Sequence, residues 1–518
     1  MKHYSESFNK TSRLIVAPRI SGAPRVRLSP LDSASLAARL ADMLRVQQDF
    51  FPCFDWVFPP PVFPKAPGPA NAAELFTHRS VVPGRCSVYV HVPFCKSLCS
   101  FCYYRVLPGR GEEEKSSYVG YLLREMALYR DVVRTLRCES VYIGGGTPTA
   151  LSDRELARLF EGLRQNFDLA PDAEITIESA PTTLGPARIA LLKRLGVNRL
   201  SYGIQSLDEK LLATMNRSYR VADALAELAE ALPVIGNINV DTMYGFAGEP
   251  DDAIVNTLRT LADLGIPCLT IYSLDTQRSV RNSVWLGPPR DPLYFRKIEI
   301  YQRARALLES LGYRALFQNT FAKPGLGSYV HQLRRWDNVS VVALGVGAMG
   351  YAPRTPYQNL GTTPAYFARL DAQLLPIEAI DILDAQMELA RQVTTQLRFA
   401  QVDLRRIHEV YGVDLQVVFR DLLAALEELG LLERRDSKIA LTPAAAPYNN
   451  ALPMLFAPDA FKADLLTLPP EYLAAMPTPS VLTRIGATQS SPFGLGDSIA
   501  RDATAALYPD GSCPVVAR

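Results

Sequence analysis

The sequence predicts an α/β fold built on a parallel sheet, with a small helical, winged-helix-like domain after it. Three observations carry this. Short β-branched apolar runs alternate with longer helical patterns from about residue 84 to 320. The alternation repeats at roughly 25–40 residue intervals, the spacing of strand–crossover–strand units. Beyond residue 384 the strand runs give way to helical patterns that end in a hairpin rhythm.

Six strands are expected, at 87-SVYVHV-92, 139-ESVYIG-144, 174-EITIES-179, 199-RLSYGI-204, 236-GNINVDTM-243 and 268-CLTIYSL-274. Among the helices between them, 153-DRELARLFEGLRQNF-167 follows a capping box from Ser152 to Glu155. The helix 186-PARIALLKRLG-196 has Pro at its start and Gly at its end. Six strands are too few for a complete eight-stranded barrel, and a partial barrel or an open doubly wound sheet both fit the pattern.

The domains expected are an N-terminal arm over 1–83, a core over 84–380, the winged-helix-like domain over 381–446 and a Pro- and Ala-rich tail over 447–518. The arm holds one clear helical pattern, near 36–51, then the connector 57-VFPPPVFPKAPGPA-70, which excludes helix and central strand. Helices are expected at 384–397, 402–411 and 414–429, followed by the hairpin 430-GLLERRDSKIALTPAA-445. Winged helices can bind nucleic acid, but here Asp403, Glu409, Asp414, Asp421, Glu427, Glu428 and Glu433 intersperse the basic residues, which points to packing. The tail has little periodicity and is expected to be poorly ordered in part.

A formal net charge of +2 argues against nucleic acid and anionic membranes as partners. The N-terminus lacks the apolar core of a signal peptide, and the weakly polar run 339-VSVVALGVGAMGYA-352 is too short and Gly-rich to span a bilayer. A cytoplasmic protein is expected, a monomer by preference, with the cysteines at 53, 86, 138, 268 and 513 acting as small hydrophobes.

The chemistry concentrates in 91-HVPFCKSLCSFCYYRV-106, where Cys95, Cys99 and Cys102 are spaced C-x3-C-x2-C. Structural zinc needs four ligands, so His91 or a remote residue would have to join. A redox pair of Cys99 and Cys102 leaves Cys95 unexplained. A [4Fe–4S] cluster on three cysteines uses all three and leaves one iron open to a non-protein ligand. The loop directly follows a strand, where parallel α/β folds place their active sites. Next, 144-GGGTPT-149 also follows a strand, and its glycines let main-chain N–H groups approach a ligand carboxylate. Glu178, Gln205, Arg217 and Asp241 are polar residues at, in or just past strands whose pattern calls for apolar ones.

This cysteine spacing is the signature of the radical S-adenosylmethionine (SAM) superfamily. Over roughly residues 84–445 the chain resembles its oxygen-independent coproporphyrinogen III oxidase family, with the heme-chaperone and methyltransferase relatives. The resemblance implies a partial (βα)6 TIM-type barrel, a [4Fe–4S] cluster on Cys95, Cys99 and Cys102, and SAM on the open iron. Reductive cleavage of SAM then yields methionine and a 5′-deoxyadenosyl radical, with an electron donor such as flavodoxin or ferredoxin as partner. It further implies SAM contacts from Tyr89, Phe101, Gly145, Gly146, Thr147 and Glu178, and a second SAM held by Gln205, Arg217 and Asp241. The segments 317-FQNTFAKPG-325 and 344-LGVGAMGY-351 match the same pattern, and the second is expected to close over the SAM pocket.

The coproporphyrinogen oxidases carry a further cysteine two positions after the third ligand. Tyr104 stands there in this chain. The expected function is therefore a radical SAM enzyme that uses two SAM molecules for methylation or C–C bond formation on a small, natural-product-like substrate. The alternatives are a tetrapyrrole enzyme of the oxidase type, by decarboxylation or heme-modifying methylation, and a heme chaperone without strong turnover. Substrate contacts are expected from the N-terminal region, the 275–295 loop and the 329–338 segment, where Arg334, Arg335 and Trp336 suit either an anionic aromatic ligand or surface salt bridges.

Overall fold

The computed structural model describes residues 66–102, 104–274, 294–397, 401–448 and 452–457. The expected helix near 36–51, residues 57–65 of the proline-rich connector, the 275–293 part of the substrate loop and the tail beyond 457 lie outside them.

The six expected strands form: β1 (Arg85–Val92), β2 (Arg137–Gly145), β3 (Asp168–Ser179), β4 (Arg199–Gln205), β5 (Asn237–Tyr244) and β6 (Cys268–Ser273). They pair in parallel and in strict sequence order. A doubly wound sheet reverses its strand order at a switch point. Here there is no reversal, so the winding is that of a barrel with its crossover helices on one face. Those helices are α1 (Glu112–Val133), α2 (Asp153–Asn166), α3 (Pro186–Arg194), α4 (Val221–Ile235), α5 (Ala253–Asp263) and α6 (Tyr294–Ser310). Ser152 caps α2 by accepting from the Glu155 N–H. The apolar stripe of α2, Leu156, Leu159, Phe160 and Leu163, enters the main core with Val141, Ile143 and Ile177 of the strands.

A seventh parallel strand, β7 (Ser340–Leu344), pairs with β1 on the side away from β2. Its residues are all buried, so the run SVVAL carries no polar alternation to mark it as a strand. Antiparallel strands then continue the sheet beyond both ends of the parallel block, to thirteen strands in all. The far edge is Ala66–Pro67, paired with Ala379 and Ile380, an edge position that suits proline. Residues 66–76 therefore pack with the core, and Leu75 is buried in it.

The C-terminal module contains α7 (Ala385–Leu397), further helices at Leu404–Tyr411, Leu415–Val418 and Arg420–Glu428, and a three-stranded sheet. The single helix expected over 414–429 is broken at Phe419, whose φ of −108° lies outside the helical well. The module has its own core, including Leu389, Leu397, Ile407, Leu423 and Ile439. Leu452, Leu455 and Phe456 belong to that core, so the beginning of the expected tail is built into the module. Buried polar contacts dock the module on the barrel. Gln392 Nε2 donates to the Trp336 carbonyl (3.1 Å) and Tyr351 Oη to Glu388 Oε1 (3.1 Å). The Arg391 guanidinium lies 4.3 Å from the Tyr351 ring centroid.

Candidate active site

Parallel winding brings the C-terminal ends of β1–β5 together, and the expected site residues collect there in two adjoining groups. The first surrounds Glu178. Its carboxylate accepts from Tyr142 Oη (2.7 Å) and from the Gly145 N–H (2.9 Å), so the glycine run wraps a carboxylate of the protein itself. Burial pushes the Glu178 carboxyl up to about 7. The Tyr142 hydroxyl pulls it back, Asp241 adds repulsion, and the Gly145 amide and Arg199 lower it. Tyr89 lies on β1 with its hydroxyl 3.0 Å from His91 Nδ1, while His91 Nε2 lies 2.9 Å from the Arg105 carbonyl. A carbonyl only accepts, so Nε2 carries the proton and Nδ1 accepts from Tyr89. Burial lowers the His91 pKa to about 4, which keeps the ring neutral. Asp241 accepts from Ser201 Oγ (3.0 Å) and Asn239 Nδ2 (2.9 Å). Burial raises its pKa against those two donors and the cations Arg199 and Arg217.

The second group surrounds the cysteines. Cys95 ends a short strand, Phe94–Cys95, that pairs in parallel with Leu107–Pro108 and so fastens the loop's entry to its exit. Thr147 Oγ1 donates to Cys95 Sγ (3.8 Å), and the Thr147 N–H to the Phe94 carbonyl (2.7 Å). A Cβ on Gly146 would stand 2.7 Å from the Phe94 carbonyl oxygen, so this approach requires glycine. Burial pushes the Cys95 thiol up to about 11. The Thr147 hydroxyl lowers it, Cys102 and Cys99 raise it, and Arg217 lowers it. Arg217 Nη1 donates to the Gly203 carbonyl (2.6 Å), and its guanidinium lies 5.8 Å from the Phe101 ring centroid. Gln205 has a left-handed φ of 69°, and its amide folds over Gly203, where a Cβ would meet Nε2 at 2.9 Å.

The donor set fits an iron–sulfur cluster. Cys95, Cys99 and Cys102 are half-buried thiols outside any disulfide. Among the described residues, no three Cys, His, Asp or Glu side chains converge on a point suited to one metal ion. A cubane instead takes one thiolate at each of three separate irons. Iron would supply the positive charge that turns a thiol of raised pKa into a thiolate.

Some residues of this end of the barrel escape sequence reasoning. Tyr142 stacks between Tyr89 (6.2 Å) and Tyr329 (5.9 Å), and the Arg199 guanidinium lies 3.9 Å from the Tyr329 ring centroid. Tyr142 occurs in a strand where an aromatic is unremarkable, so nothing in its position marks it. The 345–350 glycine loop packs against the flanks of the cysteine loop. A Cβ on Gly345 would meet the His91 carbonyl oxygen at 2.6 Å, and one on Gly347 would meet Arg105 Cδ at 2.5 Å, so the loop supports the cysteine loop. Within 329–338, Arg334 pairs with Glu139, and Trp336 is buried edge-on to Phe317 (5.0 Å).

Residues 89–261 match the model of the radical SAM superfamily and residues 383–448 that of the HemN C-terminal domain. The chain is 27% identical over 365 residues to the heme chaperone HemW of Bacillus subtilis (strain 168), covering 69% of this chain and 95% of that protein. It is 31% identical over 268 residues to HemW of Escherichia coli (strain K12), covering 51% of this chain and 69% of that one. Among solved structures, the coproporphyrinogen III oxidase HemN of Escherichia coli, a radical SAM enzyme, superposes with a TM-score of 0.64 at 24% identity. That match covers 74% of this chain and 91% of the other, and it shows the shared fold. The barrel winding, the cysteine loop at the strand ends and these matches together place the chain in the radical SAM superfamily, as a member of its coproporphyrinogen III oxidase-like family.

Proposed function

We propose that the chain carries a [4Fe–4S] cluster on Cys95, Cys99 and Cys102, binds SAM beside it, and serves a tetrapyrrole as a heme chaperone of the HemW kind. The relatives favour this alternative over the methylation of a natural product expected from the sequence. One observation carries it: the similarity runs through 95% of a heme chaperone, while Tyr104 occupies the place of the oxidases' additional cysteine. Tyr104 is also 44% exposed, a large apolar side chain at the rim of the cysteine loop.

When bound, the cluster supplies one electron for reductive cleavage of SAM. The remaining roles belong to the chain. Gly145, Gly146 and Thr147 present main chain beside the cysteines, and Glu178 offers a buried carboxyl to ribose hydroxyls. Tyr89, fixed by neutral His91, and Phe101 line the SAM site. Gln205, Arg217 and Asp241 are assigned to a second SAM molecule. Flavodoxin or ferredoxin suits as electron donor.

The test uses the full chain, reconstituted with iron and sulfide, and presented separately with heme, with coproporphyrinogen III and with methyl-labelled SAM. Heme is expected to bind at one equivalent, read from its Soret band, with no carbon dioxide released and no label transferred. Carbon dioxide release from coproporphyrinogen III, or label in a product, would overturn the chaperone reading.

A further inference from the structure

The cysteine loop is held from outside by a corner of chain that follows β4. The Ser100 N–H donates to the Met215 carbonyl (3.1 Å), and Ser100 Oγ to the Thr214 carbonyl (2.9 Å). Asn216 Nδ2 donates to the Leu98 carbonyl (2.6 Å). Between them, the two residues that flank Cys99 are thus tied to three consecutive residues of the corner, Ser100 to Thr214 and Met215 and Leu98 to Asn216. Met215 is fully buried among Leu211, Leu212 and Phe246, and Phe101 packs on the same cluster. The anchor is therefore rigid, while among the described residues the loop's own backbone adds the Cys102 N–H to Cys99 carbonyl bond (3.2 Å) between its thiols. Asn216 sits at φ 56°, in the left-handed region that Asn tolerates better than most residues. That turn aims its amide back at the loop.

We propose that the Thr214–Arg217 corner is a clamp on the cysteine loop, and that Asn216 is its positioning residue. By holding the Leu98 carbonyl it fixes where the Cys99 thiol stands, and so how firmly the iron on that thiol is kept. The proposal rests on the reading of the three cysteines as cluster ligands. It does not depend on what the protein does with heme or SAM.

Two variants separate position from fold. Asn216→Asp keeps the size and the left-handed turn but replaces the amide donor with an acceptor that repels the Leu98 carbonyl. Asn216→Gly keeps the turn and removes the side chain. The full-length proteins are loaded with iron and sulfide, and iron release to a chelator is followed with the electron paramagnetic resonance spectrum of the reduced cluster. Both variants are expected to melt within about 2 °C of wild type before loading, since exposed surface changes cost little. Iron release is expected to be about tenfold faster, the effect of one lost hydrogen bond, with an altered resonance line shape. Ser100→Ala is expected to act in the same direction, and its effect to be non-additive with Asn216→Gly. Wild-type release rates and line shape in both Asn216 variants would overturn the clamp. Failure of wild type itself to take up iron would instead overturn the cluster reading. If the Asp variant fails to fold, the Gly variant decides by the same measurements.

Discussion

Glu178, proposed above to meet the SAM ribose, is also built into the structure. Its carboxyl holds the Gly145 amide and the Tyr142 hydroxyl, so replacing it perturbs the turn beside the cysteines as well as the pocket. Glu178→Gln retains the shape and one acceptor. It is expected to weaken SAM binding about tenfold or more, the worth of a hydrogen bond to a charged group, while iron content stays at the wild-type level. Calorimetric titration of the iron-loaded protein with SAM checks this, and loss of iron would show Glu178 to be a support of the cysteine loop. At this scale the sequence is informative where a residue breaks its local pattern. Glu178, Gln205 and Asp241 are conspicuous because buried strands rarely carry such groups. Asn216 and Tyr142 are silent, since their partners come from other segments: Leu98 is 118 residues from Asn216 and Glu178 is 36 from Tyr142.

The elements show why some strands are legible and one is not. β1–β6 are β-branched runs bounded by helical patterns, so their limits follow the sequence within a few residues, apart from the longer start of β3. β7 is a uniformly buried run joined to a glycine loop, and its pairing with β1 and with Met349–Ala352 identifies it as a strand. That junction is braced by Glu125 of α1. Its carboxyl accepts from the Gly345 N–H (2.7 Å), Asn359 Nδ2 (2.7 Å) and Tyr366 Oη (2.6 Å). Glu125→Ala would leave the Gly345 N–H and the Tyr366 hydroxyl unsatisfied and remove one acceptor of Asn359 Nδ2, which also donates to the Gly345 carbonyl (3.0 Å), and is expected to cost about 3 kcal/mol of stability. Urea unfolding followed by circular dichroism measures it. A loss below about 1 kcal/mol would mean that water replaces the carboxylate at little expense.

For the whole molecule, buried titratable groups set a pH optimum. Burial raises Glu125, Glu178 and Glu388 to about 7 each, well above an ordinary glutamate. A raised carboxyl gives stability that is complete below its unfolded pKa and lost as pH rises through the folded value. Burial also lowers His91 to about 4 and His331 to about 3, so acidification below the ordinary histidine range destabilises the fold. As pH rises from about 6.5 to 8 the three carboxyls lose this stability faster than the two histidines regain theirs, so the melting temperature is expected to fall. Glu388→Gln removes one carboxyl at the module interface and is expected to flatten the decline. A melting temperature that rises over this range would refute the assignment.

The pairing of β7 with β1 also imposes a timetable on biosynthesis. The thiols are made early, yet the strand that covers the free edge of β1 begins at Ser340, some 240 residues after the cysteine loop. At ribosomal speeds of about 5–20 residues per second, that edge stays uncovered for roughly 12–50 s. During this interval the nascent chain presents an unpaired strand edge next to three oxidisable thiols. Iron delivery therefore belongs after translation, when the loop has its neighbours, and expression under slow elongation should favour aggregates that lack iron.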